Sequence, residues 1–213
     1  MQELIKNTST QRANFFNSYE SALKYYRNET DITNRNDGKA KLNKDGKDDP
    51  LRHADNRVPS NFYQLLVDQE AGYVATIPPQ IDVGNEKYNE VISEVLGDDF
   101  ALTVNNLVID ASNAGVAWLH YWIDKDNNFR YAIIPPNQIT PIYSTTLDNK
   151  LLGVLRSYKQ LDPDTGKLFT VHEYWNDKEA TFFKQPTSDL DSLEPYDNIT
   201  SYDMSAGYET GVS

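Results

Sequence analysis

Three histidines, 32 carboxylates and a complete absence of cysteine bound the chemistry open to this chain. His120 stands in VAWLHYW between Trp118 and Trp122, and His172 stands in VHEYW further on; the third is His53. Two histidines on neighbouring strands, helped by Glu173 or Asp110, are enough to start a zinc site. A strand histidine held by hydrogen bonds is the commoner arrangement, and no third ligand stands at a recognised spacing. Disulfides and thiolate-metal sites are excluded outright. Among the carboxylates, Asp48-Asp49, Asp98-Asp99 and Asp124/Asp126 are close enough in sequence to act as an acid/base pair or to hold a divalent cation. Each falls at a helix start or a turn, where aspartate is expected for capping and turn formation. Asp124 to Asn128 imitates the start of a calcium loop, but Phe129 stands where the glycine belongs and Ile139 where the distal glutamate belongs. No HExxH, GxSxG, GxGxxG or Walker-type run occurs, so metalloprotease, hydrolase and phosphate-cradle chemistry have no motif here. The rings around Trp118 and Trp122 could make a stacking platform for a sugar or a nucleobase; packing in a core is the ordinary use of such residues.

The charge balance narrows the partners. The net charge is -12, unevenly spread: residues 1–60 hold 11 Lys and Arg against 9 Asp and Glu, and residues 61–213 hold 9 against 23. An acidic body opposes tight duplex binding, which requires phosphate neutralisation by cations. It suits a surface that must let a duplex slide past without sticking. The segment with Arg35, Lys39, Lys41, Lys44 and Lys47 is interrupted by acids and has no interleaved aromatic, so it reads as a solvated, mobile loop over 30–55. No run approaches 18 apolar residues and the first residues have no apolar core of signal-peptide length. The chain therefore reads as soluble and made in the cytoplasm. Aliphatic residues are modest in number, so the 14 Tyr, 8 Phe and 3 Trp must supply much of the buried area.

Periodicity predicts helices first and strands afterwards. Ser9 to Arg27 carries Phe15, Phe16, Tyr19, Leu23 and Tyr26 on one stripe, with N-cap candidates over Asn7 to Thr10. Pro59-Ser60-Asn61 opens a second helix on which Phe62, Leu65, Leu66, Gln69 and Tyr73 recur at three- and four-residue spacing. Asn85 to Leu96 and Asp98 to Asn113 are two more; Phe100, Val104, Leu107, Val108 and Ala111 form the buried stripe of the latter, with Asp98 or Asp99 as its cap. Gly115 is placed to end it in the left-handed conformation. The period then changes to two, with strands at about 115–124, 129–135, 151–160, 168–175 and 179–184. Apolar residues on both faces of the first predict a strand buried between a sheet and covering helices. Asn127-Asn128 and Asp162 to Gly166 are turns, and Pro135-Pro136 stops a strand. The fold class is α+β, with N-terminal helices packed against a mainly antiparallel sheet over 1–184. From Gln185 onward there is no Lys or Arg and six acids, which reads as an acidic linker or disordered end.

Two segments carry a resemblance. NRVPSNFYQLLVDQEAGYVATIPP contributes Asn56, Arg57 and Pro59, then Asn61, Phe62, Leu65, Leu66, Asp68, Gln69, Gly72 and Tyr73. ASNAGVAWLHYWIDKDNNFRYAIIPPNQITPIY contributes Gly115, Trp118, Pro136, Pro141 and Tyr143, and LGVLRSY follows with Arg156. In this order the segments resemble the N-terminal wing portion of a tailed-bacteriophage portal protein of the siphophage type. The match covers most of the chain, and its order and density carry it more than any single motif does.

The resemblance implies a structural, non-catalytic head protein without a cofactor. Such proteins form a dodecameric ring at one capsid vertex, through which DNA is packaged and ejected. Terminase, scaffold and head-tail adaptor are the implied partners, with the virion as destination and the host cytoplasm as the place of assembly. The stem, clip and crown regions of that family are expected beyond the present end. The alternative is a carbohydrate-binding or adhesion module using the aromatic strand around Trp118 and Trp122. From the charge alone, a gel-shift titration of the chain with duplex DNA at physiological salt is expected to show no retarded band at low micromolar protein. A retarded band would make the segment over 35–47 a binding arm.

Overall fold

The computed structural model describes residues 1–34, 45–47, 58–77, 79–124 and 126–196. Helix α1 (Gln2–Tyr26) starts well before the expected position. Thr8 and Ser9 do not cap it; their hydroxyls donate to the carbonyls of Leu4 (2.8 Å) and Lys6 (2.7 Å) inside the helix. A hydroxyl satisfied by a carbonyl one turn back leaves the helix free to continue through it. Of the expected stripe, Tyr19 is buried, while Phe16 stays exposed. A four-residue helix α2 (Asp31–Asn34) follows, then α3 (Phe62–Ala75), α4 (Glu86–Leu96) and α5 (Phe100–Ala114).

The starts of α4 and α5 differ. Asn85 is extended (φ -145°) and its side chain accepts from the Tyr88 amide at 3.4 Å, satisfying a first-turn donor. Asp99 occupies the position before α5 but makes no side-chain cap bond, because its backbone is already near-helical (φ -82°, ψ 0°). At the other end Gly115 takes φ 74° and its amide donates to the Ala111 carbonyl at 2.7 Å, as the Asn-Ala-Gly sequence predicts.

Two antiparallel sheets follow instead of one. Strands β1 (Trp118–Ile123) and β2 (Phe129–Ile134) make a separate ribbon, with Tyr121 opposite Tyr131 and His120 opposite Ala132. Strands β3 (Ile139–Tyr143), β4 (Leu151–Leu161), β5 (Leu168–Trp175), β6 (Ala180–Gln185) and β7 (Glu194–Pro195) form a meander in sequence order. The ribbon touches the meander on one face and the α4–α5 junction on the other, while α1 meets the meander directly. His120 meets Trp175 of β5 edge-on (centroids 4.8 Å), and Tyr131 on the other face bonds the Leu96 carbonyl and abuts Phe100. Yet Leu119 and Tyr121 remain exposed, so β1 is not the fully buried strand its composition predicts. A two-stranded ribbon has no third strand to shelter its edges, and apolar content alone does not distinguish it from a central strand.

Strand β3 escaped the period-two reading because Pro136 and Pro141 interrupt it. It is the edge of the meander, paired only with β4, and an edge strand has one side on which a missing N–H costs nothing. The last strand lies in the segment expected as a linker: over 187–195 that segment supplies a 3-10 turn (Leu190–Ser192) and β7, whose Glu194 pairs with Lys184. Both outer strands of the meander therefore contain a proline, Pro141 and Pro195.

The best-buried side chains sit in two places. Leu155 (1% exposed), Val171, Ala180, Phe182 and Ile139 fill the meander; Tyr19, Val67 and Ala71 fill the helical layer. Gly153 marks where β4 bends: the register with β3 shifts between Ile142 and Tyr143, and a Cβ on Gly153 would lie 2.8 Å from both the Trp175 carbonyl and the Tyr174 hydroxyl. Only glycine fits that approach, which accounts for the glycine of the LGVLRSY segment.

In chemical denaturation, Leu155→Ala is expected to cost about 2–5 kcal/mol through lost burial and a residual cavity. Gly153→Ala is expected to cost roughly 1–3 kcal/mol by forcing β4 and β5 apart. A loss below about 0.5 kcal/mol at either position would contradict the packing described.

Candidate assembly surface

Helix α3 has the sequence FYQLLVDQEAGYVA, and it is apolar on two opposite sides. Val67 and Ala71, four residues apart, are the buried side and face α5. The stripe read from spacing, with Phe62, Leu65, Leu66, Gln69 and Tyr73, turns outward; Leu66 is 63% exposed and Tyr73 87%. The outer side thus leaves large apolar side chains uncovered among the described residues. Beside it, the α5 stripe of Val104, Leu107, Val108 and Ala111 is only half-buried and, with Leu119 and Glu70, lines an open apolar groove. Acids surround this area: residues 61–115 contain nine Asp and Glu and one Lys.

The remaining motif residues divide by role. Asn61 precedes α3 and its amide donates to the Gln64 side chain without capping the helix. Asp68 accepts the Tyr26 hydroxyl of α1 at 2.8 Å, a bond which, after burial, pushes that phenol up to about 12. Gly72 has open space around it, and its carbonyl accepts from Thr76. Pro59 is half-buried, Pro136 is fully buried in a 3-10 turn (Pro136–Gln138), Pro141 lies opposite Val154, and Tyr143 is exposed. Asn56 and Arg57 lie outside the described residues, as do His53, most of the segment over 30–55 and the end from 197 onward.

Arg156 organises one face of the meander. Its guanidinium lies 3.4 Å from both oxygens of the buried Glu173, 3.1 Å from Gln138 Oε1, and 4.3 Å over the ring of Tyr158. Trp175 donates to Glu173 at 3.2 Å. Burial and then the Glu173 carboxylate push the Tyr158 phenol well above its ordinary value. A buried carboxylate that receives an arginine and an indole has its charge answered within the subunit.

The opposite face of the meander holds a second network, which sequence reasoning missed. Ser157 and His172 are paired across β4 and β5, with Ser157 Oγ 2.9 Å from Nδ1, and Gln185 Oε1 lies 2.9 Å from Nε2. That spacing matches a nucleophile–base pair, but Ser157 and His172 are each only 2% exposed. With Gln185 accepting the Nε2 proton and Ser157 donating to Nδ1, the neutral ring is satisfied at both nitrogens. The signal was available only as register, since the three residues stand on three strands.

The ligand sites weighed from sequence are not assembled. His120 lies on the ribbon side of the meander beside Trp122 (centroids 5.5 Å) and His172 on the other side, so they share no metal. Among the described residues no group of three or more His, Asp or Glu could hold a metal ion. Asp124 organises its own turn: it accepts from the amides of Asp126 and Asn128 at 2.9 Å and from Arg130 at 2.9 Å, contacts that bring its carboxyl down to about 2. The aromatic platform is not exposed either. Trp118 and Trp122 are half-buried, and the exposed residues of β1 are Leu119 and Tyr121.

Fold and surface together describe an α+β domain with an uncovered apolar helix face. The chain belongs to the phage portal protein family of the SPP1 Gp6-like type, whose family model matches residues 5–205. The portal protein of Clostridium phage phiCD119 is 39% identical over 170 residues, covering 74% of this chain and 37% of that protein. The portal protein of Bacillus phage SPP1 is 29% identical over 129 residues, covering 58% of this chain and 26% of that protein. The chain thus spans roughly a third of the length of these relatives.

The His172 network gives stability a pH dependence. Burial lowers the imidazole below its ordinary 6.5, and burial shifts His120 the same way. Below that pH the unfolded chain takes up the protons first, so stability is full above about pH 6.5 and is lost as pH falls. Denaturation midpoints are expected to drop between pH 7.5 and pH 5.5, and to drop less in His172→Gln. An equal drop in both proteins would show that His172 does not carry the effect.

Proposed function

We propose that this chain forms the wing portion of a portal-ring subunit, a structural and non-catalytic component of the virion at one capsid vertex. Membership of the portal family over residues 5–205 carries the reading. The outward apolar side of α3 supports it, because a ring subunit must bury on its neighbours what it leaves uncovered on itself. An interface of ordinary size takes on the order of 800 Å² from each partner, within reach of such a face and its flanking tyrosines.

In this reading duplex DNA passes transiently and is not held, in keeping with the acidic charge. Terminase, scaffold and the head-tail adaptor are partners of the assembled ring. Assembly takes place in the host cytoplasm, and no cofactor is required.

Negative-stain electron microscopy of the protein made from its complete reading frame tests this directly. Rings with a central channel are the expected result. Uniform monomers across a range of salt and divalent-cation concentrations would overturn it.

A further inference from the structure

We infer that the outer side of α3 receives the β4–β5 tip of a second copy, head to tail. The inference rests on the ring reading and names one of its contacts. The tip is one of several exposed apolar features among the described residues, another being the α4 stripe of Tyr88, Val91 and Val95. Leu161 and Leu168 face each other across the last rung of the β4–β5 ladder, 57% and 60% exposed, and a tight turn closes beyond them. Polar residues usually stand at the end of a hairpin, and here two exposed leucines do.

Charge permits the pairing. Lys159 and Lys167 flank the two leucines. Asp162 is turned inward to organise the turn, accepting from the Asp164 amide (2.9 Å) and the Thr165 hydroxyl (2.8 Å); Asp164 is the tip's other acid. The α3 stripe is flanked by Asp68 and Glu70 in a layer with nine acids and one lysine. With two lysines and two aspartates the tip is neutral overall, so it can meet the acidic α3 face without the repulsion that a second acidic face would bring. Pairing α3 with α3 across a two-fold axis would set acid against acid, which disfavours a symmetric dimer.

The two patches are also far apart. Helix α1 has 25 residues, so it is about 37 Å long. Near its start Gln2 donates to the Leu190 carbonyl (3.0 Å), in the loop after β6. That loop begins at Pro186, which lines one surface hollow with Asp162, Lys167 and Leu168. At its end Tyr26 holds Asp68 of α3. The two patches thus lie toward opposite ends of α1. Two different and well-separated patches are what a repeating heterologous contact requires, and a closed ring is one outcome of repeating it.

The 213 residues contain no cysteine, which makes disulfide trapping clean. Leu66→Cys and Leu168→Cys are introduced into the protein from the complete reading frame, in a background without other cysteines, and rings are scored by electron microscopy before mild oxidation. The double variant is expected to give a ladder of cross-linked species on a non-reducing gel. Mixed single variants, co-assembled, should give dimers, and each alone should give none. Rings without cross-links would overturn this contact and leave the ring reading standing. Dimers from Leu66→Cys alone would replace it with a two-fold contact. Absence of any oligomer would remove both readings. As an independent measure, Leu168→Asp is expected to weaken assembly roughly tenfold or more while leaving the subunit's unfolding midpoint unchanged; unchanged assembly would also overturn the contact.

Discussion

Helix α1 is tied at intervals along its length, and the relation between sheet and helices depends on those ties. Near its start Gln2 reaches the loop after β6; Arg12 donates to the Ser157 carbonyl in β4 at 3.3 Å; Tyr19 reaches Asp110 of α5 and Tyr26 reaches Asp68 of α3. Each bond contributes only about 0.5–1.5 kcal/mol, but each fixes a different point along one rigid rod. The Tyr19 phenol, pushed up to about 12 by burial and by Asp110, stays a donor throughout the physiological range. Burial raises the Asp110 carboxyl as well, and the Tyr19 bond acts against that rise. The two apolar centres of the molecule are small, and the straight helix, with the β1–β2 ribbon, is what makes them one body.

Inside the meander, register is defended by polar groups. Ser157, His172 and Gln185 line up across three strands on one face; Arg156 and Glu173 do so on the other. A slip of one residue would turn every one of these groups to the wrong face and leave buried atoms without partners. Apolar residues such as Val171 and Ala180 tolerate a slip far better. Specificity in this sheet therefore comes from its least hydrophobic buried residues, while Leu155 and Phe182 supply most of the burial.

Features whose cause lies within five or six residues were legible in the sequence. The left-handed Gly115, the positive φ of Asn127 and the Asp162-centred turn all follow from local chemistry. Features decided at a distance were not. The stripe on α3 was correctly seen as periodic, but periodicity marks an apolar side without saying whether this subunit or another covers it. The true start of α1 was hidden because a serine or threonine that caps a helix and one that bonds within it look alike. Strand β3 was hidden by Pro141, whose tolerance depends on there being no strand beyond it. The Arg156–Glu173 pair and the Ser157–His172–Gln185 row needed register before they existed as sites at all. The motif positions Asn56 and Arg57 stand outside the described residues.

The prolines at the two margins of the meander have a consequence for this chain at high concentration. A bare sheet edge is a template on which any extended segment can grow, and at high protein concentration such growth ends in fibres. Pro141 on one margin and the two-residue, proline-ended β7 on the other break that template on both sides. Neighbouring copies therefore find no long, uninterrupted meander edge on which to stitch backbone to backbone.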